Sequence, residues 1–115
     1  MLKPIFDMPR VLLLVLAVML VVLIQITYQQ NSAGTFHFDD RFSIVEHTPI
    51  HLNQLSLAAL WQAGDNALHA TRPIPSITFA FDWWRDGGAA APFLQTNLVI
   101  HTLNGLLVMI LLLLV

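Results

Sequence analysis

The sequence predicts an α-helical membrane protein in which two spanning helices flank an extracytoplasmic loop with two short interfacial amphipathic helices. Three observations lead there. Of the 115 residues, 57% are hydrophobic and 10% charged, with a mean hydropathy of +0.70, whereas a soluble domain is about a quarter charged. The apolar residues gather at the two ends: positions 11–24 hold no polar residue, and 98–115 are apolar apart from His101, Thr102 and Asn104. Between these runs the pattern changes to capping residues, prolines and tryptophans.

A helix crosses about 30 Å of hydrocarbon with roughly 20 apolar residues, and both ends are long enough. The expected order is a cytoplasmic N-terminus at 1–10, a first span at 11–27, the loop at 28–92 and a second span at 93–115. Lys3 and Arg10 ahead of the first span place the N-terminus in the cytoplasm and the loop outside. Arg41, Arg72 and Arg85 in the loop oppose that orientation, although Asp39, Asp40, Glu46, Asp65, Asp82 and Asp86 accompany them. The same start also describes a signal peptide. The run exceeds the usual apolar region of about 7–15 residues, and "QQNSAGTF" is a poor cleavage site, so a retained anchor is expected.

Within the loop, residues 29–34 read as a polar linker and 35–50 as irregular chain closed by Pro49. "NQLSLAALWQAG" then has a capping residue, Asn53 or Ser56, good helix formers, and Gly64 as its stop. Leu57, Leu60 and Trp61 share one face of this helix, which suits a membrane interface. A second helix follows "TRP", because Pro73 and Pro75 fit a first turn where a missing N–H is harmless. "RDGG" ends it. Ile77, Phe81 and Trp84 stack along one face, and Trp83–Trp84 are expected in an interfacial aromatic belt. Pro92 begins the last span.

The net charge of −2 and the absence of a basic cluster give no footprint for nucleic acid. There is no cysteine, which excludes disulfides and thiolate metal sites. Five histidines raise a metal site, but Pro49 between His47 and His51 argues against both lying on one helical face. Asp39 and Asp40 are the first candidate site. Two close carboxylates resist ionising together, which makes one a better base. The plain alternative is a solvated turn, since Asp favours turns and neighbouring side chains diverge in extended chain. Arg72, ahead of a helix N-terminus, is a candidate for a phosphate group or for headgroup snorkelling. His101 and Asn104 share a face inside the second span, where polar groups meet protein or water. Gly105 beside them admits a close helix, which this chain need not supply itself.

The order of "FDD", "RPIPSITFAFDWW" and "TNLVIHTLNGLL" resembles the N-terminal region of the membrane glycosyltransferases with tetratricopeptide repeats, relatives of protein O-mannosyltransferases in the GT-C class. The resemblance covers roughly residues 35–110, with Phe38 where relatives usually carry Trp. It implies transfer of a sugar from a polyprenyl-phosphate carrier to a hydroxyl acceptor such as protein Ser or Thr, in a bacterial inner membrane. It further implies that one of Asp39 and Asp40 is the general base, Asp39 being the matching position. The other would tune it or help bind a divalent cation, and Arg72 would hold the lipid-linked phosphate. Members have many more transmembrane helices, so the expectation is a fragment that is inactive alone, because two helices cannot enclose such a donor. The alternatives are a non-catalytic two-helix hairpin that scaffolds a membrane partner, and a secreted domain released by signal cleavage.

Overall fold

The computed structural model describes residues 9–29 and 34–114, so Lys3 and most of the polar linker lie outside the described residues. Among the described residues there are four α-helices: α1 (Arg10–Tyr28), α2 (Leu57–Asp65), α3 (Pro73–Asp86) and α4 (Ala90–Leu114). No strand occurs among the described residues. The chain divides into two compact units, one containing α1 and α4 from Asn97 onward, the other Ser32–Thr96.

α1 and α4 are the two helices long and apolar enough to cross a membrane. A core helix of a soluble protein would bury its apolar side chains, yet of those on α1 and α4 only Ile24, Pro92 and Phe93 are buried. In this unit Gly105 of α4 approaches α1 closely. A Cβ there would lie 3.3 Å from Ile24 Cδ1 and 3.6 Å from Leu20 Cδ2. The helix that Gly105 admits is therefore supplied by the chain's own α1. The Tyr28 and His101 rings meet edge to face, 5.2 Å apart.

The second unit closes around Ile44, Ile50, Ala63, Ala80 and Phe93, flanked by Phe36, Leu52, Leu60, Phe79 and Trp83. Fully burying an Ile or Phe side chain stabilises by about 1.5–3 kcal/mol, so this small core rests on three large residues. Two of them, Ile44 and Ile50, come from the stretch expected to be irregular. It is wound instead into a π-helical turn at Arg41–Val45 and a 3₁₀ turn at Thr48–Ile50. The π turn is closed by Glu46 N–H donating to Arg41 C=O at 2.8 Å, and the Arg41–Glu46 ion pair (2.6 Å) spans the same step.

α2 begins where its cap predicts: Ser56 Oγ accepts from Ala59 N–H at 3.1 Å. Gly64 does not stop it. The helix runs on to Asp65, and Gly64 is buried against α3, where a Cβ would come within 3.0 Å of Ile77. The inward face is thus Leu60, Ala63 and Gly64, while Leu57 (87% exposed) and Trp61 (69%) point outward. α3 starts at Pro73 and ends as expected, with Gly87 left-handed (φ +57°) and its N–H donating to Trp83 C=O at 2.8 Å. Trp83 packs against the core and stacks on His51, ring centroids 3.5 Å apart. Trp84 stays exposed beside Phe81. α4 begins earlier than the expected 93, at Ala90, because Pro92 falls within its first turn, where no N–H is required.

Candidate functional site

Asp39 and Asp40 lie on the turn that leads into the π-helical segment. His37 C=O accepts from Asp40 N–H at 3.0 Å, and Asp39 C=O accepts from Ser43 N–H at 3.0 Å. The carboxylates have different surroundings. Asp40 Oδ2 accepts the His37 N–H at 3.0 Å and so pins the turn from within. The Asp39 carboxylate is exposed and makes no hydrogen bond or ion pair among the described residues. The pair is therefore a turn-holding acid beside a free one.

The phenylalanines around them do not close an apolar pocket. Phe36 leaves the turn for the core, edge to face with Phe93 at 5.3 Å. Phe38 is 95% exposed, and Phe42 is exposed as well. Phe38 also has φ +49°, a left-handed conformation that costs a non-glycine residue roughly 1–2 kcal/mol. A large apolar side chain is thus held out, with backbone strain, next to the free carboxylate.

Arg72 sits immediately before α3 and is exposed, its N–H donating to His69 C=O at 2.8 Å. Its guanidinium makes no ion pair among the described residues, and no hydrogen bond links it to Asp39 or Asp40. The α3 N-terminus beside it is a poor anion cradle. Pro73 and Pro75 lack N–H groups, so of the first three helical residues only Ile74 offers one. Any phosphate there depends on the guanidinium itself.

The histidines are dispersed. No group of three His, Asp or Glu side chains suited to a metal occurs among the described residues. His51 Nε2 lies 2.8 Å from Ile44 C=O, to which it donates while its ring covers Trp83. His47 Nε2 is buried without a hydrogen-bond partner.

One polar cluster escapes a reading of the sequence. Asp82, 1% exposed, accepts at Oδ1 from Thr96 Oγ1 (2.6 Å) and from Arg85 Nη1 (3.2 Å). Arg85 Nη2 also donates to Gln95 Oε1 at 2.7 Å, so the cluster ties α3 to the first turns of α4. Burial pushes the Asp82 carboxyl above its ordinary value, against the opposing hydrogen bonds from Thr96 and Arg85. The available signal was helical spacing: Asp82 follows Phe79 by three and precedes Arg85 by three, on the inward stripe of α3.

Compared with known proteins, the chain matches no family model, no curated protein and no solved structure.

Proposed function

We propose that the chain forms part of a membrane glycosyltransferase that moves a sugar from a polyprenyl-phosphate carrier to a hydroxyl acceptor, with Asp39 as the general base. The carrying observation is the division of labour on the turn. Asp40 spends an oxygen on the His37 N–H, whereas the Asp39 carboxylate is exposed and uncommitted among the described residues. In the reaction, Asp39 takes the acceptor hydroxyl's proton as its oxygen bonds to the anomeric carbon. The carbon–oxygen bond to phosphate breaks, and its electron pair leaves with the lipid phosphate. Arg72 offsets the charge on that phosphate through its guanidinium. Asp40 keeps the turn in place.

The same reading puts α1 and α4 across the bilayer, the N-terminus in the cytoplasm and the segment between them outside. Leu57 and Trp61 on the outer face of α2, with Phe38, Phe42 and Trp84, supply apolar and aromatic groups suited to headgroup depth. Further transmembrane helices complete the enclosure of the donor, which two helices cannot provide. A second reading is a non-catalytic membrane hairpin that presents this surface to a partner. It is favoured by Asp40, whose turn-holding contact needs no substrate.

Transfer of labelled sugar from a polyprenyl-phosphate donor, in membranes carrying the full protein, separates the two. Removing a positioned general base costs about 10²–10⁴ in rate. Asp39→Asn is expected to lose that much with membrane insertion unchanged, and Asp40→Asn to lose less. Near wild-type transfer by both variants would leave the turn structural and remove the base role from Asp39, whereas no transfer by the wild-type protein would leave the hairpin reading standing.

A further inference from the structure

α4 carries a second stripe that α1 leaves largely exposed, meeting it where Tyr28 reaches His101. Gly105 meets Ile24 and Leu20, and the half-buried Leu98, Thr102 and Met109 share its face of the helix. Asn97, His101, Asn104, Val108 and Leu111 follow one another at intervals of four, three, four and three residues along a different stripe, and all five are exposed. An average step of 3.5 residues is the repeat of a helix–helix seam.

The polar end of this stripe cannot rest against lipid. At 1.5 Å per residue, Asn104 lies about 10 Å along the axis from Asn97, well inside the apolar run. Polar side chains at that depth face protein or a water-filled cavity. Yet His101 touches Tyr28 only edge-on, and neither His101 nor Asn104 makes a side-chain hydrogen bond among the described residues.

We propose that α4 of a second copy of this chain occupies the seam, making a parallel transmembrane dimer. An Asn amide both donates and accepts, so the stripe is complementary to itself across a two-fold axis. In heptad register His101 and Val108 fall at a, and Asn97, Asn104 and Leu111 at d. A β-branched residue at a with Leu at d favours two parallel strands. Two copies inserted with one topology are parallel without further constraint. The proposal rests on the membrane-spanning reading of α4 and is independent of sugar transfer.

Because the chain has no cysteine, single introduced thiols report the interface cleanly. In liposomes containing the full chain, Val108→Cys and Leu111→Cys are expected to cross-link into covalent dimers on oxidation, and Thr102→Cys and Met109→Cys are not. Interhelical side-chain hydrogen bonds in membranes are modest, so Asn104→Leu should weaken dimerisation about three- to thirtyfold, read by energy transfer between labelled chains. Alkaline carbonate extraction keeps the two readings apart. A chain released by carbonate is not inserted, and both fall. A membrane-retained chain that cross-links equally at all four positions, or not at all, overturns the seam alone. Adducts with a different protein in place of the dimer overturn the second copy as its occupant.

Discussion

Replacing Asp82 by Ala and by Asn separates the worth of its hydrogen bonds from the cost of its charge. Hydrogen bonds to a charged group contribute about 1.5–3 kcal/mol each, and the Thr96 bond (2.6 Å) is shielded enough to count in full. The Arg85 side chain is a third exposed, so its share is discounted to under about 1 kcal/mol. Asp82→Ala should therefore destabilise by about 2–4 kcal/mol. Asp82→Asn tests the charge through pH. Burial raises the folded carboxyl above its unfolded value, so its contribution to stability is fully present below the unfolded value of about 3.9. It is lost as pH rises through the folded value. Urea unfolding of the full chain in detergent micelles, followed by tryptophan emission from pH 3 to 8, measures this directly. Subtracting the variant from the wild type cancels the histidine titrations. The difference should fall as pH rises, wild type losing ground to Asp82→Asn. A difference that grew with pH would mean that the Arg85 ion pair outweighs burial, and the reasoning would be wrong.

Gly64→Ala should destabilise by about 1 kcal/mol, because overpacking against Ile77 offsets the better helix propensity of alanine. In an Ile77→Val background the cost should shrink, with a coupling of at least about 0.5 kcal/mol, and strict additivity in denaturant titrations would refute the contact. Gly88→Ala should cost more than Gly87→Ala. Both glycines have positive φ, but a Cβ on Gly88 would sit 2.6 Å from Trp83 Cη2, whereas one on Gly87 meets open space. Only the Gly88 variant should shift Trp83 emission, by moving the ring off His51. Phe38→Asn should stabilise the unit by up to about 1 kcal/mol, since Asn tolerates the left-handed backbone. A loss of thermal stability would show that Phe38 packs in the isolated chain.

The helices that were legible carry their signals locally. α1 and α4 follow from length and apolarity, α3 from Pro73 and Gly87, and the start of α2 from Ser56. What was not legible depends on contacts across the chain. Gly64 reads as a stop, yet α3 comes so close that only a residue without a side chain fits there. That approach also decides which face of α2 is inward. Leu57, Leu60 and Trp61 read as one interfacial face, but Leu60 turns to the core while Leu57 and Trp61 stay outside, and Ala63 and Gly64 take the narrow gap. Residues 35–50 show no period because two different tight turns share them, and only burial of Ile44 and Ile50 fixes their register. Trp83 parts from Trp84 for the same reason: His51 waits on its side of α3. The adjacency of Asp39 and Asp40 was plain in the sequence, but their unequal roles depend on which oxygen the His37 N–H reaches.

The two acids that matter most contrast in a way that bears on the proposed chemistry. Asp82 is made basic by removal from water, but Thr96 and Arg85 hold it behind the first turns of α4, where no acceptor hydroxyl reaches it. Asp39 is accessible and uncommitted, but it stands in water. Desolvation is a strong route to a basic carboxylate, and Asp39 meets it only against a surface that covers the turn. The apolar groups for such a cover are already turned outward: Phe38, held there at a cost in backbone strain, and Phe42 just beyond the acids. A membrane or a neighbouring helix that buried these rings would take Asp39 out of water in the same step. On this reading the strain at Phe38 is offset in the assembled protein, and Phe38→Asn, which stabilises the isolated chain, should lower sugar transfer while leaving Asp39 in place. Transfer unchanged by Phe38→Asn would separate the exposed ring from the chemistry and leave Asp39 without a means of desolvation.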